Sequence, residues 1–154
     1  MIVVSDTSPI TTLLQIGKAD VLQQLYGETL IPAAVEKELS VLHPALPDFV
    51  RCVPVTNRRE VERLLKELDP GEAEAIVLAK EQHAEALLID ETEGRRVAAR
   101  EGIAFIGLLG VLIQAKRAGH IVSLHLVLDK LENETAFRLS DTMKRVALDS
   151  TGES

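Results

Sequence analysis

Short apolar runs alternate with helix-forming stretches along almost the whole chain, and this alternation is the strongest constraint on its fold. Residues 2–5 form a β-branched run that stops at Asp6-Thr7-Ser8-Pro9, where a capping side chain precedes a proline suited to a first helical turn. Residues 29–31 are a second short run, 50–55 read as extended, 86–89 are uninterruptedly apolar and end on Asp90, and 103–106 follow. Between these runs, Leu13, Leu14 and Ile16, then Val21, Leu22 and Leu25, predict two helical pieces broken near Gly17. Pro32 opens a helix through Leu39, which Pro44 and Pro47 end, and Val61, Leu64, Leu65 and Leu68 make one apolar stripe. Asp69-Pro70-Gly71-Glu72 starts a further helix, and 93–100, 108–115, 124–131 and 139–148 complete the set before a polar, fraying tail at 151–154. The predicted fold is α/β, a three-layer α/β/α sandwich with a short central parallel sheet, built as one domain over residues 1–150.

Composition supports a core of small aliphatic residues, because 46% of the 154 residues are hydrophobic and only 3% aromatic. Cys52 is the lone cysteine and can form no internal disulfide, and Met1-Ile2-Val3-Val4-Ser5 carries no secretory signal pattern, so a cytoplasmic location is expected. No apolar stretch reaches the roughly 20 residues of a spanning helix, and no membrane segment is expected. The formal charge of −7 has the wrong sign for gripping nucleic acid by general electrostatics. A nucleic-acid role would have to be metal-mediated or locally basic.

Two acids, Asp6 and Asp90, each follow an apolar strand directly, and in open parallel sheets ligands bind beyond the carboxyl ends of the strands. Glu72 lies in the first turn of its helix, and Glu91 and Glu93 follow Asp90, so up to five carboxylates can converge. Simpler explanations compete with this. Asp6 can cap the helix that contains Pro9, Asp69-x-x-Glu72 has capping-box form, and Asp90-Glu91 can charge the next helix start. Two strand-end acids in one register are harder to explain that way. Like charges a few ångströms apart repel by roughly 2–4 kcal/mol at an effective dielectric near 20, so a cluster of them calls for a cation. Oxygen donors alone favour Mg²⁺ or Mn²⁺, and the four histidines, without paired spacing, disfavour zinc. No Walker lysine loop, G-x-S-x-G or G-x-G-x-x-G occurs. Arg95-Arg96, one helical turn past the acids, could meet a phosphate backbone, as less readily could Arg58-Arg59 and Lys116-Arg117; such pairs more often decorate solvated helix faces.

Four segments together resemble PIN-domain proteins: Asp6-Thr7-Ser8-Pro9, Ile31-Pro32 leading to Val35-x-x-Glu38-Leu39, Pro70-Gly71-Glu72-Ala73-Glu74-Ala75, and Leu88-Ile89-Asp90-Glu91 with Arg95 and Ala98. Gly107-Leu108-Leu109-Gly110-Val111-Leu112, with Ala115-Lys116 and Gly119, is similar to an uncharacterised PIN-like branch. The resemblance implies a metal-dependent endoribonuclease, in some relatives a VapC-type toxin held by a small antitoxin protein. It implies an acidic quartet at Asp6, Glu38, Glu72 and Asp90, with Glu91 as a further metal ligand, Thr7 beside the first acid, a Mg²⁺ or Mn²⁺ cofactor, an RNA substrate and a homodimer. Glu38 rests on the resemblance alone. The chain departs from better-known toxin branches, because Leu88 and Ile89 precede Asp90 and Glu91 stands where a second aspartate is usual. Two other readings fit an acidic Mg²⁺ pocket: a degenerate PIN module that only binds a partner, and phosphoryl transfer to an aspartate as in receiver or phosphatase-like domains. Asp6-Thr7-Ser8 lacks the second aspartate of a phosphatase D-x-D, which weakens the latter.

Overall fold

The computed structural model describes residues 1–153. Five strands, β1 (Val3–Ser5), β2 (Thr29–Ile31), β3 (Val50–Cys52), β4 (Ala86–Leu88) and β5 (Phe105–Ile106), form one parallel sheet in the order β3-β2-β1-β4-β5. The helices between and after them are α1 (Thr7–Gln15), α2 (Asp20–Tyr26), α3 (Ala33–Leu42), α4 (Arg58–Leu64), α5 (Pro70–Glu81), α6 (Thr92–Arg100), α7 (Leu108–Arg117), α8 (Leu124–Glu134) and α9 (Asp141–Ser150).

Strand side chains alternate between faces, and here the alternation separates two hydrophobic cores. Val3, Ile31 and Leu88 point into one core, with the buried faces of α1, α2, α7, α8 and α9. Val4, Leu30, Leu87 and Ile89 point into the other, with α4, α5 and α6. The α/β/α sandwich expected from the sequence follows from that division. No described helix is long and apolar enough to cross a membrane.

Several boundaries differ from the sequence expectation, each for a local reason. The stripe through Leu68 predicts a longer helix, yet α4 stops at Leu64, because Asp69 is extended (φ −72°, ψ 167°) ahead of Pro70 and the chain has to leave its helix before that point. Leu68 is buried all the same, in a turn in which its N–H donates to the Leu64 carbonyl at 3.0 Å. Of the run 103–106 only Phe105–Ile106 pairs as a strand. Gly17, at φ 69°, makes the expected break between α1 and α2.

The sequence predicts a fraying tail over 151–154, of which Ser154 lies outside the described residues, but Glu153 is tied down. Its carboxylate accepts from the N–H groups of Leu124 (2.6 Å) and His125 (3.0 Å) at the start of α8, and pairs with Lys116 Nζ at 2.9 Å. Desolvation opposes ionisation of Glu153, but these three donors outweigh it and hold its pKa down at about 2. A group depressed in the folded state contributes stability above its unfolded pKa and loses it as pH falls. Glu153→Gln should therefore lower stability by about 1–2 kcal/mol at neutral pH, with the difference from wild type vanishing between about pH 4.5 and 2. Denaturant melts of both proteins across that range measure it.

Candidate functional site

The chain runs β1, β2, β3 outward in one direction, then returns to place β4 on the other side of β1. The reversal between β1 and β4 is a topological switch point, where adjacent strand ends diverge and leave a crevice. Asp6 and Asp90 flank it. The Asp6 N–H donates to the Leu88 carbonyl at 2.9 Å, extending the β1–β4 ladder by one residue and fixing where the aspartate leaves the sheet.

Asp6 is 5% exposed and is the N-cap residue of α1, yet its carboxyl makes no capping hydrogen bond. The simplest explanation for this aspartate, helix capping, therefore fails. Glu38, projecting from α3, reaches the same place and accepts a hydrogen bond from Thr7 Oγ1 at 2.8 Å. Gly71 in the first turn of α5 makes room for both acids: a Cβ there would lie 2.5 Å from Glu38 Oε1 and 3.5 Å from Asp6 Oδ1.

Glu72, 8% exposed, completes the capping box foreseen in the sequence, with its N–H donating to Asp69 Oδ1 (2.8 Å) and its Oε1 accepting from the Asp69 N–H (3.3 Å). That uses one oxygen. The other, Oε2, lies against Gly94 of α6, only 3.0 Å from where a Cβ would stand. Asp90 looks toward a different set of partners: its Oδ1 accepts from the Leu108 N–H at the start of α7 (3.0 Å) and faces Arg95 Nη2 at 3.4 Å. Gly107 admits that arrangement, since a Cβ there would collide with the Arg95 guanidinium and sit 2.6 Å from Asp90 Oδ1. Arg95 is further held by its Nε donating to the Ile89 carbonyl (2.9 Å) and by stacking 5.3 Å over the Phe105 ring. Glu91 is exposed at the N-cap of α6 and makes no side-chain cap. Arg96 spans Glu93 and Glu67, each at 3.1 Å.

The structure thus brings Asp6, Glu38 and Glu72 into one acidic niche, with Asp90 and Arg95 beside it and Arg96 engaged in surface ion pairs. Burial, reinforced by the charges of Asp69, Glu38 and Glu91 and only partly offset by the Thr7 N–H, raises the Asp6 pKa to about 7. Burial, then the Asp69 side chain, raises that of Glu72 to about 7 as well. Asp90 is also raised, chiefly by burial, against the pull of the Leu108 N–H and Arg95. Among the described residues no lysine, arginine or histidine pairs with Asp6, Glu38, Asp69, Glu72 or Glu91. Hard oxygen donors without a counter-charge, two of them, Asp6 and Glu72, buried, fit a divalent cation. They do not yet form a closed shell, because among the described residues no three His, Cys, Asp or Glu side chains converge on a common metal position.

Two residues of this neighbourhood were not selected from the sequence. The sequence marks Asp69 only as a cap, but its charge also acts on Asp6. Glu74 is 7% exposed; it accepts from the Ala34 N–H at the start of α3 (2.9 Å) and from Arg58 Nη1 (2.9 Å). It therefore pins to α5 the helix that carries Glu38, and it occupies Arg58, one of the adjacent basic pair Arg58-Arg59. A lone charge inside the otherwise apolar stretch Ala73 to Ala79 was the available signal.

The raised acids carry a pH signature. An acid whose folded pKa exceeds its unfolded one lets the folded state hold more protons, so stability falls as pH rises from about 4 toward 7. Asp6→Asn should match wild type near pH 4 and, without metal, become more stable by on the order of 3 kcal/mol above pH 7. Parallel melts in chelator across that range test it; a constant difference would show that Asp6 ionises normally.

No curated protein and no solved structure shows significant similarity to this chain. A family model described as PIN domain matches residues 2–153, which takes in every strand and helix and all of the acids above. PIN domains share a nuclease-type fold and typically use divalent metal ions. The chain belongs to the PIN-domain family.

Proposed function

We propose that this protein is a metal-dependent endoribonuclease that hydrolyses RNA phosphodiesters. The observation that carries the reading is the pair of buried acids, Asp6 and Glu72, set without a counter-cation at the switch point of the sheet. Asp6, Glu72, Asp90 and Glu91 are the proposed ligands of Mg²⁺ or Mn²⁺, with Glu38 completing the catalytic quartet. When bound, the cation would supply Lewis-acid charge to water and phosphate and offset the repulsion between an acidic pocket and an anionic substrate.

The chain's own residues have separable tasks. Glu38, steadied by the Thr7 hydroxyl, orients the attacking water and takes its proton as the water oxygen bonds to phosphorus. The phosphorus–oxygen bond to the leaving ribose oxygen then breaks, and that oxygen is protonated from solvent. Arg95 lies next to the acids and contacts the phosphate, and Thr7 does so when its hydroxyl turns from Glu38; Arg96 contributes once freed from Glu93 and Glu67. A cytoplasmic toxin inhibited by a small antitoxin, acting as a homodimer, is the setting in which we place this activity. The net charge of −7 suits a basic inhibitory segment.

Purified protein should cleave single-stranded RNA with Mg²⁺ or Mn²⁺ and stop in EDTA. Mn²⁺ at a hundredfold excess over its dissociation constant should raise the wild-type melting point by about 5–10 °C, and Asp6→Asn should lose most of that rise. An equal rise in both proteins would remove Asp6 from the ligand set. Chelator-insensitive cleavage would sink the mechanism, and metal binding without cleavage would favour a binding module.

Arg95 and Arg96 give a second test. Arg95→Ala should weaken RNA binding and reduce the slope of log affinity against log salt by about one, while Arg96→Ala should change it less. Identical slopes for wild type and Arg95→Ala would return Arg95 to a purely structural role.

A further inference from the structure

Two open clefts meet at Asp90. One, of about 420 Å³, is lined by Arg95, Gly107, Leu109, Ile113 and Met143, and the other, of about 360 Å³, by Thr11, Thr12, Gln15 and Glu91. Asp90 and Phe137 are the two residues that line both. Each volume lies at the lower end of the roughly 300–1,000 Å³ typical of small-ligand sites, room for one nucleoside and too little for a duplex. The chain has three phenylalanines and one tyrosine, and Phe137 is the aromatic side chain that these two clefts present.

The connection that carries Phe137, between α8 and α9, is built rather than loose. Thr135 Oγ1 donates to the Leu131 carbonyl (2.7 Å) and accepts from the Phe137 N–H (3.1 Å). Arg138 Nη1 donates to the carbonyls of Glu132 (3.1 Å), Thr135 (2.8 Å) and Phe137 (2.9 Å). These five bonds order the backbone that carries the half-buried ring, and among the described residues the other guanidinium nitrogens of Arg138 have no protein partner.

We propose that Phe137 is a substrate-positioning wedge that takes an unpaired nucleic-acid strand, stacking a base on its ring so that consecutive nucleotides enter the two clefts and the phosphate between them lies at Asp90. The inference rests on the nuclease reading for the role of Asp90, but the stacking is a binding property and stands or falls separately. An aromatic face accepts any base, whereas a hydrogen-bonding pocket would select one. The cleft containing Arg95 is cationic and largely apolar, suited to a base beside a phosphate. The other offers hydroxyls, an amide and the carboxylates of Asp90 and Glu91, acceptors and donors suited to the hydroxyls of a ribose edge. Duplex is excluded because its bases are already stacked on one another.

Binding of fluorescently labelled oligouridine, oligothymidine and a hairpin duplex to the whole protein is measured by anisotropy in Ca²⁺, with Phe137→Leu and Phe137→Trp alongside wild type. Leucine keeps the apolar contact with the core and removes the stacking face; tryptophan restores the face. Wild type should bind both single strands well above the duplex. Phe137→Leu should bind them about tenfold or more weakly with an unchanged melting point, and Phe137→Trp should recover wild-type affinity. Equal single-strand affinity in wild type and Phe137→Leu, no single-strand binding, or a preference for duplex would overturn the proposal. Stacking-dependent binding without cleavage would fail the nuclease reading alone, and cleavage with unchanged KM in Phe137→Leu would fail the wedge alone. Preference for oligouridine over oligothymidine assigns the strand as RNA, and equal affinity assigns the clefts to any unpaired strand.

Discussion

The hydrogen bond from the Asp6 N–H to the Leu88 carbonyl, 2.9 Å long, is the contact on which the site depends. It closes the last rung between β1 and β4, two strands separated by eighty residues of chain, at the point where the sheet order reverses. It adds to the three paired residues of β1 and β4, so that Asp6 and the turn to Asp90 leave the sheet in one register. With it, every helix start that contributes to the niche is registered against the same strand ends.

Gathering acids there is unfavourable in the absence of a cation, and the rest of the molecule is arranged to tolerate it. Four cations on the α4–α6 flank are committed elsewhere: Lys80 and Arg63 to Glu60 and Glu101, and Arg96 and Arg100 to Glu67. Exposed pairs of this kind add little individually, but as a network they tie α4, α5 and α6 together. Those are the helices that enclose Val4, Leu87 and Ile89 beneath the acids. Packing and ion pairs thus support the layer under the site, while the site itself holds two buried acids with pKa values near 7.

Precision in the niche comes from residues without chemistry of their own. Gly71 and Gly107 each stand where a methyl group would strike a carboxylate, so the helix starts can approach the acids closely. Glu74 joins α5 to the start of α3, so that Glu72 and Glu38, on two different helices, keep a fixed separation. The wedge proposed at Phe137 is of the same kind, an inert ring made useful by the hydrogen bonds that hold its connection.

Much of this was legible in the amino-acid sequence. Short uninterrupted apolar runs alternating with helical stripes specify a parallel α/β sandwich whatever the strand order, because both faces of each strand must be covered. The capping box of Asp69 and Glu72 is a local device and was read correctly. So was the placement of Asp6 and Asp90 at strand ends, which needs only the length of each run. What tertiary structure decided is which ends are neighbours. Nothing in residues 1–90 taken locally says that β4 lies beside β1 rather than beyond β3, and so nothing local says that Asp6 and Asp90 share a crevice. Nor does local sequence say that Asp6 leaves its helix uncapped, that Glu38 turns toward Thr7, that Glu74 reaches across to α3, or that Glu153 anchors a tail expected to fray. Each of these depends on a hydrogen bond or a close approach between segments distant in the chain, and such contacts are selected by the packing of the whole core, which no window of sequence contains.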